Sequence, residues 1–171
     1  MTAAPKHCAL CSSNKVAFCC ENCGIDVCKS CGESLDSNDF SFFTRKPEPL
    51  SKTNWCCRCY DEHIAPIRAR YDELMEKAKQ TFFLTKNFRG YVKSFRRHTK
   101  RVSAGPCLDR RECILRMAFM AAELGFNSII EAEVSSKKVR IDSYQTSSWQ
   151  GSAQPADIDG ERLERAAAKG F

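Results

Sequence analysis

Eight of the chain's twelve cysteines stand in four C-x-x-C pairs within the first 60 residues, and nothing else constrains the fold as strongly. The pairs are Cys8/Cys11, Cys20/Cys23, Cys28/Cys31 and Cys56/Cys59. A C-x-x-C lets two thiolates face one ion from a single tight turn. Zn²⁺ takes four ligands tetrahedrally, with Zn–S bonds of about 2.3 Å. Four pairs therefore make two full coordination shells. A shell of four thiolates has no position left for water, so such a site is structural rather than catalytic. A disulfide framework suits an oxidising compartment, but the chain opens without the apolar run of a secretory signal. One iron–sulfur cluster would use four cysteines and strand the rest.

A stretch this short hides only about 60% of its surface on folding. Structural zinc compensates with an apparent binding energy of about 10–16 kcal/mol. The reading is thus two zinc ions per chain, in a cytoplasmic protein whose thiols stay reduced. No apolar run reaches the roughly 20 residues of a membrane span.

Charge divides the chain. The formal net charge is +6. Two tetrathiolate zinc sites carry −2 each and bring it to about +2. Residues 81–140 hold 13 Lys/Arg against 5 Asp/Glu, residues 1–60 are near neutral before metal, and residues 141–171 are acidic. Two electrostatic characters point to two domains.

Gaps of 8 and 4 residues separate the first three pairs, and 24 residues precede the last. Pro47 and Pro49 make that excursion irregular, with Phe40, Phe42 and Phe43 as its apolar anchor. Cys19 and Cys57 adjoin ladder cysteines and stay open as alternative ligands; His7 beside Cys8 is a bystander.

CENCGIDVCKSC followed by CCRCYDE resembles the cross-brace layout of FYVE-type and related treble-clef fingers, with Gly24 and Tyr60 adding to the match. The resemblance implies that the first and third pairs share one ion: Cys8, Cys11, Cys28 and Cys31. The second and fourth then share the other: Cys20, Cys23, Cys56 and Cys59. The basic run that lipid-binding members carry before the second pair is missing, since VAFCCENC stands there. A phosphoinositide would find no Arg fork. FRRHTKR at 95–101 is similar only superficially and lies outside the ladder.

Beyond the ladder, Pro66 opens a helix over 66–80 with an apolar stripe of Ile67, Tyr71, Leu74 and Ala78. Residues 81–104 read as two strands. Arg97 and Arg101 fall on one face and Arg96 and Lys100 on the other, so at least one face meets solvent, an acidic neighbour or an anion. Gly105-Pro106 is expected to break the second strand. Asp109 with Glu112 then starts a helix over 110–124, closed by Gly125. Its second half, MAFMAAEL, is apolar nearly all round, which asks for burial on a second side. Strands at 127–140 and 143–153 follow, joined near Asp142. The end is polar and helix-prone.

This order of elements resembles the YbjQ-like family of small bacterial domains, labelled heavy-metal-binding. The matching residues are Gly90-Tyr91, AAELGFNSII at 121–130 and Gly151-Ser152-Ala153. The resemblance implies a closed homo-oligomeric ring, commonly a pentamer. The metal label finds no support here: Cys107, Cys113 and His98 lack ligand spacing and read as core or surface residues.

No phosphate-cradling Gly loop, G-x-S-x-G or H-E-x-x-H occurs, so no enzyme is expected. The sequence thus reads as an α+β chain: a two-zinc cross-brace finger (1–62), a linker helix (63–80), a YbjQ-like ββαββ oligomerising domain (81–156) and a polar helical tail (157–171). Its expected role is a non-enzymatic scaffold that presents zinc modules to a protein partner on a ring. Nucleic-acid binding through residues 81–140 and metal sensing or storage are the alternatives. One expectation follows directly. Flotation with phosphoinositide vesicles should show no specific capture, and capture abolished by changes within residues 12–23 would contradict it.

Overall fold

The computed structural model describes residues 7–88, 94–141, 143–161 and 165. Gly90, Tyr91 and most of the C-terminal tail, which the sequence reading uses, lie outside them. The chain is α+β and divides into two compact units, Met1–Asp72 and Glu73–Phe171.

The first unit contains very little regular structure. β1 (Phe18–Cys19) pairs antiparallel with β2 (Asp26–Val27), and β3 (Gly32–Ser34) with β4 (Asn54–Cys56). A helical run follows without interruption: α1 (Cys57–Cys59), a π-helical turn (Tyr60–Ile64) and α2 (Ala65–Lys79), within which the unit boundary falls. A short 3₁₀ turn, Glu48–Ser51, is the regular part of the 24-residue excursion. That excursion is held by Phe40, which is buried, and by Phe43. Both rings meet Tyr71 edge-on, at 5.3 and 5.2 Å between centroids. The Arg68 guanidinium lies 4.8 Å over the Phe40 ring and donates to the Tyr60 hydroxyl at 2.8 Å. Phe42, next to Phe43 in the chain, is half-exposed. Trp55, Ile64 and Val27 complete a small core in which five of the ladder cysteines are buried beside them.

The second unit is one helix on a five-stranded sheet. β5 (Phe82–Thr85) runs parallel to β8 (Ser128–Ile141), and β8 pairs antiparallel with β9 (Tyr144–Ile158). Both β6 (Ser94–Arg97) and β7 (Val102–Cys107) pair with the other side of β9. The expected long second strand is therefore two, split at residues 98–101. Pro155 accounts for the split. Within a strand, a residue's N–H and C=O point the same way, and the Pro155 carbonyl accepts the His98 N–H at 2.9 Å on this side. The missing proline donor faces the gap, so no ladder bond is lost. β9 accordingly runs through Pro155 to Ile158 instead of ending at 153, and takes the first residues of the expected tail. Gly105-Pro106 does not end β7 either. The strand continues to Cys107 with a shifted register between Ala104 and Cys107.

α3 (Arg110–Glu123) begins as the sequence indicates. The Asp109 carboxylate accepts the Glu112 N–H at 2.8 Å, while Glu112 reaches back to the Leu108 N–H at 2.7 Å. The reciprocal bond thus falls one residue earlier than in the standard box. Gly125 at φ +76° closes the helix, with its N–H on the Ala122 carbonyl and the Phe126 N–H on that of Ala121. This is the Schellman pattern, which L side chains resist. Met117 and Cys113 press against β9 so closely that a Cβ at Gly151 would lie 3.0 Å from Met117 Cε.

The apolar surplus expected on α3 is smaller than the sequence suggests. Met117, Ala118, Phe119, Ala121 and Ala122 are all buried within the chain. Ile114, Leu115 and Met120 stay half-buried, and Leu124 is exposed. The basic residues of β6 find the acidic neighbours that the sequence requires. Arg96 pairs with Asp157 at 2.8 Å, and Arg97 and Arg101 both reach Glu131, at 3.4 and 3.7 Å. Glu131 sits at φ +50° where β8 bulges by one residue against β9.

Replacing Asp109 by Ala should cost about 1 kcal/mol of stability, measured as a lowered denaturant midpoint for the second unit. An unchanged midpoint would show that the cap does not hold α3.

Candidate metal centres

Each C-x-x-C is shaped by a local turn before any metal is considered. At Cys8–Cys11 the Ser12 N–H returns to the Cys8 carbonyl at 2.8 Å, with Ser12 at φ +60°. Cys20–Cys23 is the turn joining β1 to β2. There the Gly24 N–H meets the Cys20 carbonyl at 2.9 Å and Gly24 takes φ +77°. Cys28–Cys31 links β2 to β3, with the Cys31 N–H on the Cys28 carbonyl at 3.1 Å. Cys56 ends β4 and caps α1, its sulfur accepting the Cys59 N–H at 3.5 Å.

Folding brings these turns together in two groups. Cys8, Cys11, Cys28 and Cys31 form one, and Cys20, Cys23, Cys56 and Cys59 the other; within each, the four sulfurs lie within 4.8 Å of one another. These are the two foursomes implied by the cross-brace layout. Zn–S bonds of about 2.3 Å place tetrahedral sulfurs about 3.8 Å apart. The Cys11–Cys28 and Cys23–Cys56 separations are 3.6 and 3.7 Å. Each group could hold one metal ion. Cys19 and Cys57 are exposed and belong to neither group. His7 is also outside, hydrogen-bonded to Asn14 at 2.8 Å.

The electrostatics of the bare clusters show why a cation suits them. Backbone hydrogen bonding from Cys28 is the main cause that pulls the Cys8 thiol down to about 6. Burial pushes Cys20 upward, but the backbone at Cys23, Cys56 and Asn22 outweighs it and brings that thiol to about 6 as well. Contact with Cys11 and Cys28 then drives Cys31 up to about 12. Cys59 also rises to about 12; the Asn22 side chain opposes this, but burial and the sulfurs of Cys56, Cys23 and Cys20 prevail. Four sulfurs this close cannot all ionise alone. A divalent ion removes the conflict, because a coordinated thiol is deprotonated outright.

Supporting residues lie inside the second pair and were not singled out in the sequence. The Glu21 carboxylate accepts the Thr53 and Asn54 N–H groups, both at 3.1 Å, and ties the Cys20–Cys23 turn to β4. Asn22 donates to the Cys59 sulfur at 3.5 Å and is itself held by Lys52 at 2.9 Å. The signal was the polar E-N filling of C-E-N-C, whose partners lie more than 30 residues away. The Cys57 N–H on the Cys31 carbonyl at 3.0 Å links the two groups directly.

Cys107 and Cys113 are buried in the second unit, and burial raises both thiols, Cys113 to about 12. They are neutral core residues, as the sequence reading expects, and no metal-ligating group includes them among the described residues. An open, polar cleft of about 550 Å³ lies on the sheet, lined by Ser103, Glu133, Ser135, Ser148, Gln150 and Ser152. No helix among the described residues is long and apolar enough to cross a membrane. Comparison with family models, curated proteins and solved structures finds no match to this chain.

Cys23→Ser should unfold the first unit and release the metal of both groups, read by elemental analysis and by exchange of its amide protons. Cys19→Ser, Cys57→Ser and Cys107→Ser should each leave the metal content unchanged. Loss of metal in the Cys57 variant would mean that the last pair is displaced by one residue.

Proposed function

We propose that the chain is a non-enzymatic scaffold: a two-zinc treble-clef module carried on an α+β domain that assembles into a homo-oligomeric ring and displays the modules to a protein partner. The observation that carries this reading is the closure of both cysteine groups. Four sulfurs fill each shell, leaving no position for water or substrate. All-sulfur tetrahedral donors favour zinc over the hard cations. The knuckle at Cys20–Cys23, the β3–β4 hairpin and the start of the helix at Cys56–Cys59 are the parts that a treble clef assembles. No basic fork stands in the Cys11–Cys23 stretch, so the reading excludes phosphoinositide as the ligand.

Support for the ring is the sequence resemblance to the YbjQ-like family and the apolar side chains left uncovered. Leu108 is 88% exposed and Leu124 44% exposed, and Ile114, Leu115 and Met120 are half-buried on the same helix. Apolar surface of this kind marks an interface, and a closed ring covers it in every copy without a free end.

Light scattering on the intact chain tests the assembly. A pentamer of the 19.3 kDa chain is expected, with two zinc ions per copy. Leu108→Asp together with Leu124→Asp should reduce the mass to that of one chain. A wild-type monomer with full zinc content would remove the scaffold reading.

A further inference from the structure

β8 and β9 are much longer than the body that they belong to. Their pairing continues without a register shift from Glu133↔Ser152 to Ile141↔Tyr144, past the last contact with β7 at Cys107↔Trp149. Ser136 is the partner of Trp149, so from Lys137 onward β8 and β9 pair with each other alone among the described strands. Ser135, Ser136, Lys137, Lys138 and Arg140 are exposed, as are Gln145, Thr146 and Ser147 on the facing strand. Exposure on consecutive residues means that neither face is covered. An isolated two-stranded ribbon is marginal in water. The unaccompanied part spans about 17 Å at roughly 3.4 Å per residue.

Charge on the ribbon is predominantly basic: Lys137, Lys138 and Arg140 against Asp142. The structure neutralises most basic residues of the sheet itself: Lys86 on Glu133, Arg96 on Asp157, and Arg97 and Arg101 on Glu131. Lys137, Lys138 and Arg140 have no ion-pair partner among the described residues. They face Ser148, Ser147 and Gln145 across the ribbon, side chains that offer hydroxyl and amide donors but no carboxylate. Strand alternation places Lys138 and Arg140 on the face of Gly151, which is the face that α3 packs against lower down. Arg110 and Arg111 open α3 near the foot of the ribbon, where Arg110 and Val134 line one cleft. Lys137 lies on the opposite face.

We infer that this ribbon, residues 135–148, is a docking arm for double-stranded nucleic acid, read through its phosphates and not its bases. Two strands about 4.8 Å apart fit a major groove about 12 Å wide, which admits a β-ribbon. Cations on both faces then meet the phosphate backbones on both sides, and the serine, threonine and glutamine donors add phosphate contacts. A second copy is the poorer occupant, since apposing two arms would set three cations against three. A bilayer is also a poorer occupant, because the polar ribbon sequence offers no apolar face to insert beside its cations. The inference does not depend on the scaffold reading; a ring would only multiply the arms.

The test uses the intact zinc-loaded chain and a mixed-sequence DNA duplex of about two helical turns, followed by fluorescence anisotropy between about 0.05 and 0.2 M salt. Micromolar, sequence-indifferent binding is expected. Changing Lys137, Lys138 and Arg140 together to Gln should weaken it at least tenfold and flatten the salt slope by about 2.7, near 0.9 per cation removed. The same triple change at Lys15, Lys29 and Arg45 should do neither. Equal binding by the arm variant, or capture of phosphatidylserine vesicles through these residues with no duplex binding, overturns the proposal. So does a change in the arm variant's mass by light scattering, which would make the arm a contact between copies.

Discussion

Mutual repulsion among eight crowded sulfurs is the constraint on which the first unit depends. With four thiols inside 4.8 Å, one is drawn down to about 6 while another is forced up to about 12. Such a group cannot ionise fully unless a cation sits among the sulfurs. The strands around them contain only two or three residues each, too short to persist by their own pairing. Their function is to deliver turns. The hydrophobic contribution is real but small: Trp55, Phe40, Ile64 and Val27 pack directly against the buried cysteines, so sulfur, metal and core form one cooperative body.

The second unit needs no such centre. Its helix is capped at both ends by local chemistry, and its buried face meets the sheet with backbone-level closeness at Gly151. The buried cysteines there illustrate the contrast. Cys107 and Cys113 are neutral and packed, whereas each ladder cysteine sits among three further sulfurs. Residue type alone would not separate these two kinds of cysteine. Spacing does, because paired C-x-x-C turns bring four sulfurs to one point, whereas Cys107 and Cys113 bring only two.

Legibility followed the range of the interactions. Turns, caps and the left-handed Gly125 are decided within four or five residues, and their sequence signals sit where the structure uses them. The grouping of the cysteines is long-range; spacing leaves it open, and the cross-brace resemblance supplied it. The last strand was expected to end at 153, short of Pro155, where a central strand ordinarily cannot continue. The harmlessness of Pro155 depends on a gap in the neighbouring edge that no local signal reveals. Gly105-Pro106 misled for the same reason: an irregular register accommodates it without ending the strand. Glu21 and Asn22 escaped notice because their partners, Thr53, Asn54 and Cys59, are distant in sequence.

Net charge was the least informative quantity until it was placed on the fold. The excess of basic residues between 81 and 140 looks uniform in sequence. In the structure it separates into two populations. Arg96, Arg97 and Arg101 hold the edge of the sheet to Asp157 and to the bulged Glu131, and are bound up in structure. Lys137, Lys138 and Arg140 occupy a ribbon in which the partner strand contributes only neutral donors. Long-range attraction to a polyanion scales with cations that have no nearby carboxylate. The second group can therefore steer an anionic partner, while the first mostly fixes the strand edge in place. The same amino acids fall into two groups, and the positions of two acidic side chains, Asp157 and Glu131, separate them.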